Sequence, residues 1–424
     1  MKTRQIIVYG LLAVVLAFTL TVCNDGGNSD YWKITWNLNG GTFASGSNHP
    51  TQVEKGAVLA KPSPDPTKDG NTFGGWYANS GLTQEYNFAG PVTADLILYA
   101  KWDQLPAEIT VTAGSSLAEK LQWVKDNAQS NTIYFIEVDA DESIATQVLS
   151  YNKRGITIHL EGIDGEKVVS LSSKGSLFIV DSATVTLIID KNITLQGLSD
   201  QLDSLVTVNH GTFEMRTGAK ISNNSISSSN SNLNDGGSGG GVGVDYYGTF
   251  IMNGGEISNN SAINHGGGVY VFNAGTFIMN DGKISGNSGD DGGGVYIYGT
   301  FTMNGGVISD NTASSNVGSY GGGVYVRSTG TFTMNGGGIS GNTVTSNPGP
   351  GGGVYVVGGG TFRIVTGTVY GSNAEEGLKN TATSGAALSG TAQYGTFTEE
   401  TWTSAGDLST TNDTIKVVNG VLQQ

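Results

Sequence analysis

Apolar positions along the chain follow three successive patterns. Between Trp32 and Trp102 apolar and polar residues alternate, as in Lys33-Ile-Thr-Trp-Asn-Leu38 and Leu96-Ile-Leu-Tyr-Ala-Lys-Trp102, with breaks at Asn39-Gly-Gly, Lys55-Gly, Pro62 to Pro66 and Phe73-Gly-Gly. Such period-two patterning predicts short strands joined by turns. After a linker at 104–115 the period changes. Leu117, Leu121 and Val124 fall at i, i+4 and i+7 behind Ser116-Leu-Ala-Glu119, a capping-box pattern, which predicts one short amphipathic helix over 116–131. From Thr132 strand-like runs return, irregular over 132–210 and regularly repeated over 211–394, and residues 395–424 read as a closing cap.

The repeat is the strongest signal. Gly-Thr-Phe begins at Gly211, Gly248, Gly275, Gly299, Gly330 and Gly360, at intervals of 24 to 37 residues. Self-similarity on that scale marks a repeat architecture. Each unit holds three strand-like pieces, such as Gly322-Gly-Val-Tyr-Val326, Gly330-Thr-Phe-Thr-Met-Asn335 and Gly338-Ile-Ser-Gly-Asn342. Side chains alternate along a strand, so Phe332 and Met334 share one face, as do Val324 and Val326. Stacked coils would place Phe250, Phe277, Phe301 and Phe332 in one column and Met252, Met279, Met303 and Met334 in another. Asn253, Asn304 and Asn335 sit before glycine at turns, and Asn260, Asn287, Asn311 and Asn342 form a further column. The expected fold is all-β: a right-handed parallel β-helix with three strands per coil and a short N-terminal cap helix, preceded by a small β-grasp-like domain. That helix would cover apolar core and an unpaired strand edge at the first coil.

Composition narrows the function. With 66 Gly and a net charge of −15 in 424 residues, the chain lacks the basic footprint of a nucleic-acid binder. Lys2 and Arg4 precede an apolar run from Ile6 to Leu20, which reads as a signal peptide over 1–22. Cys23 is the single cysteine, so no internal disulfide is possible. Its place after the apolar run resembles the lipidation cysteine of bacterial lipoproteins, followed by a polar tether over 23–31. This implies an exported protein held at the cell surface or outer membrane.

Two further resemblances follow from motifs. Asn39-Gly-Gly, Gly56, Pro62, Pro66, Gly70, Phe73-Gly-Gly-Trp-Tyr77 and Leu98-Tyr-Ala-Lys-Trp102 resemble the Listeria–Bacteroides repeat, the InlB B-repeat module, over 32–103. That family implies a small β-grasp-like spacer or adhesion domain on extracellular proteins. Its Trp76, Tyr77 and Trp102 suit the core of so small a domain better than a carbohydrate platform. The Gly-Gly-x-Val and Phe-x-x-Asn pairing over 211–362 resembles the repeats of chlamydial polymorphic membrane proteins, which are adhesins.

Candidate chemistry is sparse. The acid cluster needed by a polysaccharide lyase or hydrolase is missing from the repeats: Asp290-Asp291 is their best carboxylate pair and reads as a loop tip. Arg327 and Arg363 lack an acidic partner set, and His210 and His265 lack metal-ligand spacing. Gly240-Gly-Val-Gly-Val-Asp245 fits a Ca²⁺-binding nonapeptide once, which makes Asp245 a weak metal candidate. No motif asks for a cofactor. If Val324 and Val326 point inward, Tyr325 points out, and Tyr270, Tyr296 and Tyr355 follow it: a ladder held by its own stacking, or a stripe for glycan or host-protein contact. Adhesion or recognition is the expected function, with a lyase or hydrolase on the early coils and a structural spacer as alternatives.

Overall fold

The structure is a computed structural model that describes residues 30–228, 237–316, 318–384, 387–398 and 400–423. The segment expected to be a signal peptide and Cys23 lie outside the described residues. The chain divides into two compact units, the second starting at Pro106.

The first unit is a four-stranded mixed sheet in the order β2 (Gln52–Glu54), β1 (Tyr31–Asn37), β4 (Leu96–Gln104), β3 (Asn71–Tyr77). Its central pair β1 and β4 is parallel; the outer pairings are antiparallel. Alternation along these strands buries Ile34, Trp76, Leu98 and Ala100, joined by Leu59 and Val92 from the connections. Trp36 packs edge-on to Trp76 at 4.6 Å. Trp76 is 1% exposed, so it belongs to the core rather than to a surface platform. Gly41 is required by contact: a Cβ there would lie 2.2 Å from the Trp102 ring.

The second unit is a parallel β-helix with three long sheets of 12, 11 and 9 strands, and a fourth of three short strands, Ser288–Gly289, Thr312–Ala313 and Thr343–Val344, which gives those coils one strand more than the expected three. The longest carries the Thr-Phe-x-Met strands, the second the x-Ile-Ser strands and the third the Val-Tyr-Val strands. Neighbouring coils pair in register, Phe277 with Phe301 and Phe301 with Phe332, Met279 with Met303 and Met303 with Met334. The rings of Phe213, Phe250, Phe277, Phe301, Phe332 and Phe362 form one column, their centroids 4.5 to 5.1 Å apart. Each of these side chains is almost wholly buried, as the apolar pattern requires. Where the chain enters the Val-Tyr-Val strand it turns through a left-handed glycine at Gly266, Gly292, Gly321 and Gly351.

Buried turns carry a second ladder. Asn260, Asn287, Asn311, Asn342 and Asn380 are at most 1% exposed, and each Nδ2 donates to the next Oδ1 at 2.9 to 3.1 Å. Outside, Asn335, Asn304, Asn280 and Asn253 repeat the device at 2.7 to 2.9 Å.

Both ends are closed. Helix α1 (Leu117–Asn127) begins at Ser116, whose Oγ accepts the Glu119 N–H, and it buries Leu117, Leu121 and Val124 in the β-helix core. The stretch expected as a linker differs from expectation. Strand β5 (Ala107–Thr110) pairs parallel with Thr132–Val138 and forms the first rung of the longest sheet, since those backbone groups lie beside an unpaired edge. At the other end the chain reverses: Thr401–Leu408 pairs antiparallel with Ala392–Thr398, and Ile415–Val418 with Gly367–Val369.

Candidate functional site

The outer side of the Val-Tyr-Val sheet carries an aromatic column separate from the phenylalanine column of the core. Tyr270, Tyr296, Tyr325 and Tyr355 stand in register and stack, with centroids 5.4, 4.6 and 5.4 Å apart. The ladder is as expected, but its exposure is not. Tyr270 and Tyr296 are 2% and 3% exposed, and Tyr325 and Tyr355 half-buried, so the four do not make an open stripe.

What covers them is the residue that precedes each glycine triplet. Ser238, His265, Asp291 and Tyr320 occupy that position in successive units. The His265 ring lies on Tyr296 at 4.2 Å and 15°, and Tyr320 packs on Tyr355 at 4.7 Å. Asp291 Oδ1 accepts the Tyr320 backbone N–H at 2.9 Å, while Oδ2 is 3.7 Å from His265 Nδ1. The fold thus unites a histidine and a carboxylate that the chain separates by a whole coil. Burial lowers the pKa of His265 to about 4, with the Arg327 charge acting in the same direction. Burial also raises that of Asp291 to about 6, opposed by the Tyr320 N–H and reinforced by Asp290. Desolvation therefore outweighs the attraction that the pair would have if both were charged.

A second row lies in the turns that follow the same strands. His210 stacks parallel on Tyr246 at 5.9 Å, Tyr246 meets Phe272 at 6.0 Å, Phe272 meets Tyr298 at 5.5 Å, and the Arg327 guanidinium lies 4.4 Å over Tyr298. His210 also contacts Asp181 at 3.2 Å. Tyr246 is 53% exposed and its neighbour Tyr247 74%. Sequence reading overlooked this row because Tyr246 is one residue out of step with Phe272 and Tyr298. Aligning the turns after Val244, Val271 and Ile297 would have revealed it.

The other candidates are placed as follows. Asp245 lies in the turn before Gly248, its carbonyl accepting the Gly248 N–H. Among the described residues no group of three or more His, Cys, Asp or Glu side chains is arranged to hold a metal ion. Arg363 lies over Trp402 at 5.5 Å. On the early coils, His159 Nε2 is 2.9 Å from Asp190 Oδ2, and Arg216 binds Asp190 at 3.2 Å and Glu214 at 2.6 Å. Those two carboxylates are held by an arginine and a histidine within the protein.

Comparison with known proteins agrees with the two units. Residues 32–101 match the Listeria-Bacteroides repeat domain, and residues 196–369 match the right handed beta helix region. Two relatives come from Evansella cellulosilytica. One, named as a putative membrane protein, is 35% identical over 92 residues, which is 20% of this chain and 14% of the relative. The other, named as a putative Gly-rich membrane protein, is 38% identical over 74 residues, 16% of this chain and 8% of the relative. The chain therefore spans only a small part of the length of these relatives. No solved structure matches it significantly. The chain is thus a Listeria-Bacteroides repeat domain at 32–101 followed by a right-handed β-helix.

Proposed function

We propose that this is a cell-surface recognition protein, attached through a lipid on Cys23, whose β-helix binds a glycan or a host protein. The observation that carries the reading is the partly exposed aromatic row in the turns beside the Val-Tyr-Val sheet, assembled from successive coils. Aromatic side chains in contact with water are enriched at recognition surfaces because they bury large area at small entropic cost. The repeat domain, of a kind associated with extracellular proteins, supports the location, as do the relatives named as membrane proteins. A cleavage function finds less support. Arg216 ion-pairs with both Asp190 and Glu214, an arrangement that serves to hold successive coils together without a catalytic role.

The test is a binding screen of residues 30–424 against glycans and host surface proteins, run beside a polysaccharide-cleavage assay. Recognition predicts saturable binding without cleavage. Cleavage of any polysaccharide, or absence of binding across the screen, would sink the reading. For the anchor, Cys23→Ala is expected to move the protein from the membrane fraction to the soluble one; unchanged partition would refute lipidation.

A further inference from the structure

We infer that the outer face of the Thr-Phe-x-Met sheet pairs with the same face of a second copy of this chain, the two β-helices lying antiparallel about a twofold axis. This face is separate from the aromatic row, and its pairing does not depend on the recognition reading.

Two columns of side chains make the face. Thr212, Thr249, Thr276, Thr300, Thr331 and Thr361 stand in register on six successive coils, each at least partly exposed. Two residues further along each strand, Glu214, Ile251, Ile278, Thr302, Thr333 and Arg363 form the second column. The core rings beneath, from Phe250 to Phe362, differ in plane by only 2 to 5° from coil to coil, so these coils stack almost without twist and the face is flat. Between Glu214 and Arg363 every position of the second column is Thr or Ile, as the first column is Thr throughout. Such β-branched side chains are stiff and interdigitate well between facing sheets. The hydroxyls of the Thr column are not used within the chain: none has a hydrogen-bond partner among the described residues, whereas those of Thr343 and Thr381 meet each other at 3.0 Å elsewhere on the β-helix.

The charges at the two ends name the partner. Arg363 rests on Trp402, and its Nε has no acceptor among the described residues. Glu214 takes its bonds from Arg216 and Asn253 on Oε1, which leaves Oε2 for another donor. A cation and an anion thus end a column about 24 Å long, with no charge between them. A second copy turned end for end sets its Arg363 on Glu214 and its Glu214 on Arg363, while Thr276 and Thr300 meet across the axis. A parallel copy would oppose like charges instead. This self-complementarity is what a twofold, isologous contact requires. On a chain of net charge −15, two copies repel each other in most other approaches, which favours the uncharged face. Two columns of short side chains cover less than the roughly 800 Å² a side of a standard interface, so the pairing is weak and concentration-dependent.

The experiment is sedimentation velocity on residues 30–424, which contain both folded units, from micromolar to millimolar concentration. A reversible monomer–dimer equilibrium is expected, weakened by salt. Arg363→Glu and Glu214→Arg should each weaken it at least tenfold, because each sets like charges against one another at both ends of the face. An equimolar mixture of the two variants should restore it as a heterodimer. Thr300→Lys, at the middle of the face, should weaken it as much; Val307→Lys, which adds the same charge to the same coil on the x-Ile-Ser sheet, should leave it unchanged. Thermal unfolding identifies any variant that fails to fold; if Glu214→Arg does, Arg363→Glu and the comparison of Thr300→Lys with Val307→Lys still decide. A parent chain that is monomeric throughout, parent-like association by Arg363→Glu or Thr300→Lys, or an equal loss in Val307→Lys overturns the inference. None of these outcomes bears on glycan or host-protein binding by the aromatic row, so the two readings fail separately.

Discussion

Asn311 makes four hydrogen bonds through its side chain while wholly buried: Nδ2 donates to Ile284 O and Asn342 Oδ1, and Oδ1 accepts from the Asn287 backbone N–H and Nδ2. Removing it leaves three buried partners on two neighbouring coils short of a bond. Each such loss costs about 1–3 kcal/mol, so Asn311→Ala is expected to destabilise the β-helix by ~3 kcal/mol or more in chemical denaturation. A change below 1 kcal/mol would mean that water replaces the amide. His265 and Asp291 give a second residue-scale prediction. As pH falls from 6.5 towards 4 the unfolded chain protonates His265 and the folded chain does not, so this residue lowers stability on acidification. Asp291 acts oppositely, because the folded chain takes up its proton near pH 6 and the unfolded chain only near 3.8. The two slopes oppose each other in the parent. Asp291→Asn is expected to uncover the histidine slope, at most ~1.4 kcal/mol per pH unit, as a thermal midpoint that drops between pH 6.5 and 4 more steeply than the parent's. A parallel pH profile would show that Asp291 takes up no extra proton in the folded chain over this range.

At the scale of the strand, each Phe touches only the coils on either side of it, so damage should remain local. Phe301→Ala is expected to cost about 3–5 kcal/mol, with hydrogen exchange accelerating most around Phe277 and Phe332 and least around Phe213. Uniform acceleration would mean that the β-helix opens as one unit. The strand, turn and cap levels were also the most legible in the sequence, because Gly-Thr-Phe, the two Asn columns and the Ser116 capping box each report a local requirement that recurs or stands beside an unmistakable period. β5 was hidden for the opposite reason: Ala107-Glu-Ile-Thr110 has no pattern of its own and is a strand because Thr132–Val138 presents an edge to it. The tyrosine column was legible and its burial was not. Alternation says which way Tyr296 points, but only the stacking of a different turn, His265 from the coil before, says what then lies over it.

For the whole molecule, closure at both ends limits assembly. Helix α1 and β5 cover the first coil, and antiparallel hairpins cover the last. Deleting residues 106–131 is expected to expose a strand edge and apolar core together, giving end-to-end association visible as a rise in mass by light scattering. A folded monomer after that deletion would show that the cap is dispensable. Longer reach has a simpler origin. Because coils pair in register and Gly275 and Gly299 begin equivalent strands, excising 275–298 would join Ala274 to Gly299 and set Phe301 directly on Phe250. The β-helix can thus be shortened or lengthened only in whole steps of about 4.8 Å, like a ruler whose marks are coils. Duplication or loss of one such cassette would change the number of coils in the β-helix, and with it the length of each of its faces, while keeping the Phe and Asn columns in register.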